Sequence, residues 1–328
     1  MFLDLKTPLF PLEKALYNAY LELNLRRERL LLAVSGGGDS LALLWATSRI
    51  SSPLGLHVEV ASIHHGLRDE SAQEVDFVRQ LSEKLKIPFH TQCLNMRIDA
   101  AMEERARHLR YAALEEIRQR QHLNFILTAH TASDQACTLL MRLSRGATLS
   151  GARGIWRRRG CLLRPMLALR RVEVEDYLQQ TSLSPVIDPM NKDERFFRVR
   201  MRRGLLEMLE QVAGASATLH LAQFCRYADE DESFLEQLAL RAFQKVQVSP
   251  AALDAMAFLC LEKPLQRRIL ALFLSQNGIE LDSPSIENSI VAIQMKKNAT
   301  LAQDSLLKSE KGLIFIEAAP PRKKRLLS

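Results

Sequence analysis

Long apolar runs are missing from this 328-residue sequence. Leu30 to Val34 is representative of its longest, far below the ~18 residues that a membrane-crossing helix needs. Asp4, Lys6 and Glu13 interrupt the N-terminus where a secretory leader would be apolar, so a soluble cytoplasmic protein without a membrane partner is expected. Cysteine is scarce as well: Cys93, Cys137, Cys161, Cys225 and Cys260 are separated by 44, 24, 64 and 35 residues. Without a Cys-x-x-Cys pair there is no zinc ribbon, iron–sulfur cradle or redox couple to read, and an odd count fits a reducing compartment. With only 13 glycines and 12 prolines, collagen-like and low-complexity chains are excluded.

What is present suits two domains at roughly 150 residues each. Hydrophobic residues make up 47% of the chain and charged ones 25%, enough apolar material for two cores. Net charge is +7, unevenly placed. Residues 153–203 hold 13 Lys or Arg against 6 Asp or Glu, and Arg322 to Arg325 add four more positive charges. Basic charge gathered in one internal stretch suits a polyphosphate partner, because each neutralised phosphate releases counterions, although a solvated basic face reads the same way.

The apolar run Leu30 to Val34 and further expected strands at His57 to Ile63, Phe89 to Leu94 and Phe125 to Thr128 alternate with helical spacings such as Val75, Val78, Leu81, Leu85. Strand and helix in alternation imply a parallel sheet with right-handed crossovers. Beyond Leu209 the pattern is helical, over Leu219 to Val246, Leu265 to Ser275 and Ser285 to Lys296, with one strand expected at Gly312 to Glu317. The small residues Val212 to Ala217 place a boundary near residue 215, giving domains 1–215 and 216–319 and a basic tail, 320–328.

The unusual segments all fall just past the ends of strands, where open parallel sheets bind ligands. Ser35-Gly36-Gly37-Gly38-Asp39-Ser40 joins the first strand to a helix, so several backbone N–H groups converge where the helix dipole favours an anion. It is not a Walker loop, which needs Gly-Lys-Ser/Thr, nor a dinucleotide fingerprint, which needs glycine where Leu41 stands. Ser-Gly-Gly-x-Asp-Ser resembles the PP-loop of the N-type ATP pyrophosphatases. That resemblance implies ATP as cosubstrate, pyrophosphate gripped by Ser35 to Ser40, and Mg²⁺ associated with Asp39.

Four further segments narrow the resemblance to the tRNA(Ile)-lysidine synthetase family. They are His64-His65-Gly66-Leu67-Arg68, Glu103 to Tyr111, Leu127-Thr128-Ala129-His130 with Asp134-Gln135, and Asp188 to Arg202. The family implies a PP-loop ATP pyrophosphatase domain of α/β class followed by a smaller, mainly helical, tRNA-binding domain. It also implies the reaction: the wobble cytidine of a CAU-anticodon isoleucine tRNA is adenylated at its C2 oxygen and then attacked by free L-lysine, with a homodimer as one arrangement open to it. Site candidates on that basis are Asp39, Arg107, His130 and Asp134 for catalysis, and His65, Arg68, Arg198 and Arg202 for the tRNA.

Each candidate has a plainer reading. Arg107 also suits an i,i+4 pair with Glu103, His130 a polar cap, and Asp134 a dipole-favoured acid behind an N-cap at Ser133. The sequence departs from the family at Thr131, Ser133 and Cys137, which stand in place of a histidine, an aspartate and a glutamate. Of the two carboxylates expected to recognise the lysine amine, one remains. Two alternatives therefore stand beside the leading reading: another PP-loop tRNA-modifying enzyme, such as a thiolase, or an RNA-binding paralogue that has lost lysine transfer.

Overall fold

The computed structural model describes residues 8–64, 70–94, 102–185, 195–301 and 305–318. Its elements run α1 (Pro11–Glu22), β1 (Arg29–Ala33), α2 (Gly38–Leu54), β2 (His57–His64), α3 (Glu70–Leu85), β3 (Phe89–Cys93), α4 (Met102–Arg120), β4 (Phe125–Leu127), α5 (Ala132–Leu143) and α6 (Leu149–Ala152). There follow β5 (Arg158–Arg159), β6 (Leu162–Leu163), α7 (Arg171–Gln180), α8 (Phe197–Arg200), a π-helical turn at Met201–Leu206, α9 (Glu207–Ala213) and α10 (Ala217–Val246). The remainder comprises β7 (Gln247–Ser249), β8 (Ala252–Asp254), α11 (Ala255–Leu259), α12 (Lys263–Gln276), α13 (Ser283–Gln294), β9 (Ala299–Thr300), β10 (Ser305–Glu310) and β11 (Leu313–Ala318).

Packing divides the chain into two units, residues 1–147 with 151–227, and residues 228–328 with 148–150. The division falls within α10, beyond the small-residue stretch near 215. In the first unit the sheet has the order β3-β2-β1-β4-β6-β5, parallel except for β5. Leu30, Leu31 and Leu32 are wholly buried because β1 is covered on both faces. Leu30 and Leu32 pack with α1, α2 and α7 residues such as Leu16, Leu43 and Tyr177, while Leu31 faces Leu114 and Ile117 of α4. That two-residue alternation, apolar on both sides, is what a doubly covered parallel strand requires.

From β1 the chain builds outward through β2 and β3 on one side and returns to add β4 and β6 on the other. The crevice between the ends of β1 and β4 is therefore the switch point at which this architecture receives ligands. Among the described residues no helix is long and apolar enough to cross a membrane.

The second unit packs its helices against a five-stranded antiparallel sheet, β7-β8-β11-β10-β9, around Phe243, Phe258, Phe273, Leu253 and Ile314. Sequence patterning finds one of those five strands. Three of the others escape it because β7, β8 and β9 are only two or three residues long, too short for a period of two to register.

Candidate functional site

The loop after β1 is a tight anion nest. Gly36 has φ of 86°, a left-handed conformation open to glycine at little cost. Gly37 is the N-cap of α2, and a Cβ on Gly38 would lie 3.0 Å from Leu178 Cδ1, so α7 packs directly on the helix start. Ser40 fixes the turn from inside: its hydroxyl donates to the Gly37 carbonyl at 2.8 Å and accepts from the Ser35 N–H at 3.2 Å. Backbone donors of the loop are left to converge on the positive end of α2.

Asp39 occupies the first turn of α2. Burial raises its carboxyl to about 6, Asp134 and Glu175 push the same way, and Arg171 opposes them. Arg171 and Glu175, paired at 2.6 Å on α7, are thus neighbours of the loop that sequence patterns do not reveal. They look like an ordinary i,i+4 surface pair, and only the packing of α7 on Gly38 brings them to the site.

Beyond β4 the backbone runs Thr128-Ala129-His130-Thr131 into α5. The N-cap is Thr131, not the expected Ser133, and it forms a capping box with Asp134. Asp134 accepts from the Thr131 N–H at 2.9 Å and from Arg198 Nη2 at 2.7 Å. A helix that begins two residues earlier puts Asp134 at its third position, where a carboxylate reaches back to the cap. Arg198 and the His130 ring hold Asp134 low despite burial.

His130 shares a hydrogen bond with the Thr128 hydroxyl through Nδ1 at 2.9 Å. Burial pulls its pKa to about 4; Asp134 resists this, while Arg164, Arg107 and Arg198 add to it. The imidazole is neutral at physiological pH and keeps Nε2 for a ligand.

Four of the expected residues, Asp39, His130, Asp134 and Arg198, therefore meet in the β1–β4 crevice. Arg107 joins them electrostatically from α4, where it stacks on Tyr111 with 5.2 Å from guanidinium to ring centroid. The Glu103 side chain, its alternative partner, lies outside the described residues, as do His65, Arg68, Asp188 and the basic tail. Arg202 lies in the π-helical turn and is half-buried. Cys137 is 1% exposed, with Sγ 3.7 Å from the Arg198 carbonyl, and burial raises its thiol. It is a packed side chain, not a nucleophile. Cys137, Cys161, Cys225 and Cys260 form no disulfide, and among the described residues no His, Cys, Asp or Glu cluster could hold a metal on its own.

Comparison with known proteins bears directly on this crevice. A family model described as a PP-loop domain matches residues 11–209, the stretch that builds the sheet and the site. A tRNA(Ile)-lysidine synthase of Thermobifida fusca is 35% identical over 73% of this chain and 74% of its own length. The chain belongs to the tRNA(Ile)-lysidine synthase family. Another member, from Geobacillus kaustophilus, is 36% identical over 74% of this chain and 55% of its own length. This lysidine synthase family chain thus spans about half the length of one such relative and about three quarters of the other. Among solved structures, a U34-tRNA thiolase, NcsA of Methanococcus maripaludis, superposes with a TM-score of 0.57 over 66% of this chain and 78% of its own, at 12% identity. That likeness shows the PP-loop fold alone.

Proposed function

We propose that this chain is the ATP-dependent ligase of its family, joining lysine to C2 of the wobble cytidine in the isoleucine tRNA with anticodon CAU. The single observation that carries the reading is the convergence of the anion nest at Ser35–Asp39 with His130, Asp134 and Arg198 at one switch point. In the first step the cytosine C2 oxygen attacks the α-phosphorus of ATP, the α–β phosphoanhydride bond breaks and pyrophosphate leaves. In the second the amine of lysine attacks C2, AMP departs with the oxygen, and the amine gives up its protons.

The residues divide this work by charge. Backbone donors of the nest hold the leaving pyrophosphate, an electrostatic gain realised as its charge develops. Arg107, with a planar fork suited to phosphate, stabilises the phosphoryl group in transfer. Neutral His130 hydrogen-bonds the substrate without adding a competing cation. Asp134, oriented by Thr131 and Arg198, is the acid placed to meet the lysine ammonium, with Cys137 buried behind it.

Mg²⁺ fits Asp39: a carboxylate raised to about 6 beside a phosphate nest gains from a hard cation, which needs only one or two protein carboxylates besides phosphate oxygens. When bound, the ion neutralises pyrophosphate charge. Arg198 and Arg202 are proposed to orient the RNA, one from inside the crevice and the other from the π-helical turn.

The test is pyrophosphate release from ATP with the CAU-anticodon tRNA, with other tRNAs, and with and without lysine. Release that requires the first tRNA, with lysine incorporated into it, is expected. Release independent of RNA, or none, would overturn the assignment. Adenylation without any use of lysine would favour the reading in which Ser133 and Cys137 mark a lost amine site.

A further inference from the structure

Behind His130 lies a cation that neither step of the reaction uses. Arg164 is the first residue past β6, and β6 pairs with β4: the Thr128 N–H donates to the Leu163 carbonyl at 3.0 Å, so Arg164 stands across the ladder from the Thr128–His130 segment. It is 5% exposed. Nη1 donates to the Trp156 carbonyl at 2.5 Å, the Tyr111 phenol lies beside the guanidinium, and Nε is buried with no hydrogen-bond partner.

An idle donor on a buried cation is costly, and such groups are retained where a ligand or network completes them. The surroundings say which ligand. Arg107 stacks on the same Tyr111, Arg198 is nearby, and against these three guanidinium groups stand the carboxylates of Asp134 and Asp39 and a neutral His130. The excess is positive, and an anion fits it. That anion is not the pyrophosphate, because β6 lies two strands from β1, about 10 Å at ~4.8 Å per strand, and the nest is on β1.

We propose that Arg164, braced by Tyr111, is a further phosphate-binding residue of this site, its Nε and adjacent Nη taking an oxygen of either the ATP α-phosphate or the phosphodiester beside the target cytidine. The proposal rests on the reaction proposed for the crevice, and it extends the site to β6, a strand outside the segments that carry the resemblance in the sequence. Sequence hides it: Arg157, Arg158, Arg159 and Arg164 read together as a solvated basic run, and only burial separates the last from the rest.

The experiment uses the full chain and the variants Arg164→Lys, Arg164→Gln and Tyr111→Phe, with ATP affinity measured by calorimetry without RNA and KM for ATP and for tRNA measured by pyrophosphate release. Loss of one charge-assisted hydrogen bond should raise one constant about tenfold or more and leave the other within about twofold. A rise in ATP Kd and KM identifies the α-phosphate; a rise in tRNA KM alone identifies the phosphodiester. Arg164→Lys should retain part of the affinity and Tyr111→Phe should follow the same constant more weakly.

Should the Arg164 variants fail to fold, the wild type carries its own arm: the protected Nε–H resonance of Arg164 should shift on saturation with ATP or with tRNA. Unchanged constants in folded variants, or a resonance unmoved by both ligands, would overturn the proposal. If the wild type releases no pyrophosphate with any tRNA, the reaction fails, while the response of the Nε–H to ATP alone still decides the phosphate site.

Discussion

Asp39 is held in a form that the ligand-free protein does not favour. Its folded pKa of about 6 lies above the ordinary 3.8, so the stability linked to this group is fully present below about pH 4 and is lost as pH rises through 6. Asp39→Asn, which cannot ionise, should therefore melt higher than wild type at pH 7, by the equivalent of about 1–3 kcal/mol, and equal it near pH 4. Equal melting temperatures at pH 7 would count against a strained carboxylate. His130 behaves in the opposite sense: its folded pKa of about 4 lies below 6.5, so its contribution is complete above pH 6.5 and fades as pH falls towards 4. Affinity for ATP with Mg²⁺, followed by calorimetry, should decline below pH 6 through Asp39. The decline should persist in His130→Asn, and its disappearance there would move the titration to the histidine.

Among the elements, α7 is tied down through a buried ion pair between α1 and α2. Glu13 of α1, wholly buried, accepts from the Tyr177 hydroxyl at 2.7 Å and from the Phe10 N–H at 3.0 Å, and pairs with Arg49 Nε of α2 at 2.6 Å. Removing one partner of such a set leaves Arg49 buried and uncompensated, so Glu13→Ala should cost about 3–5 kcal/mol in denaturant unfolding. A loss under about 1 kcal/mol would show that water replaces the carboxylate. Gly36→Ala should cost about 1 kcal/mol or more from its φ alone, and weaken ATP binding further. The parallel strands are legible in the sequence because Leu30 to Leu32 is an apolar run and Val58, Val60, Ala61 and Ile63 mark a second strand, each followed by a glycine or histidine segment. Two-residue strands such as β6, set among arginines, offer no period to read. The nest, His130, Asp134 and, at the end of the Glu103 to Tyr111 segment, Tyr111 are legible as residues, whereas Arg164, Arg171 and Glu175 become visible as neighbours of the site only through the packing of α7 and the pairing of β6.

Across the whole molecule the charge excess in 153–203 is not one surface. Arg153 and Arg164 are buried and Arg198 is paired with Asp134 in the crevice, while Arg200 and Arg203 are exposed. Salt dependence of tRNA binding should therefore report the outer group. Replacing Arg200 and Arg203 with serine should flatten the slope of log K against log salt by about 0.7–0.9 for each phosphate no longer neutralised, and an unaltered slope would place the RNA on another face.

Leu178 against Gly38 has a consequence for anyone recombining this chain. The two positions are 140 residues apart in sequence, yet the methyl group that glycine lacks is the space leucine fills. They form a complementary volume pair, so substitutions there are expected to be non-additive, with Leu178→Ala relieving part of the damage of Gly38→Ala. A chimera that exchanges the loop between relatives inherits this constraint, and its crossover points should keep residues 38 and 178 from the same parent.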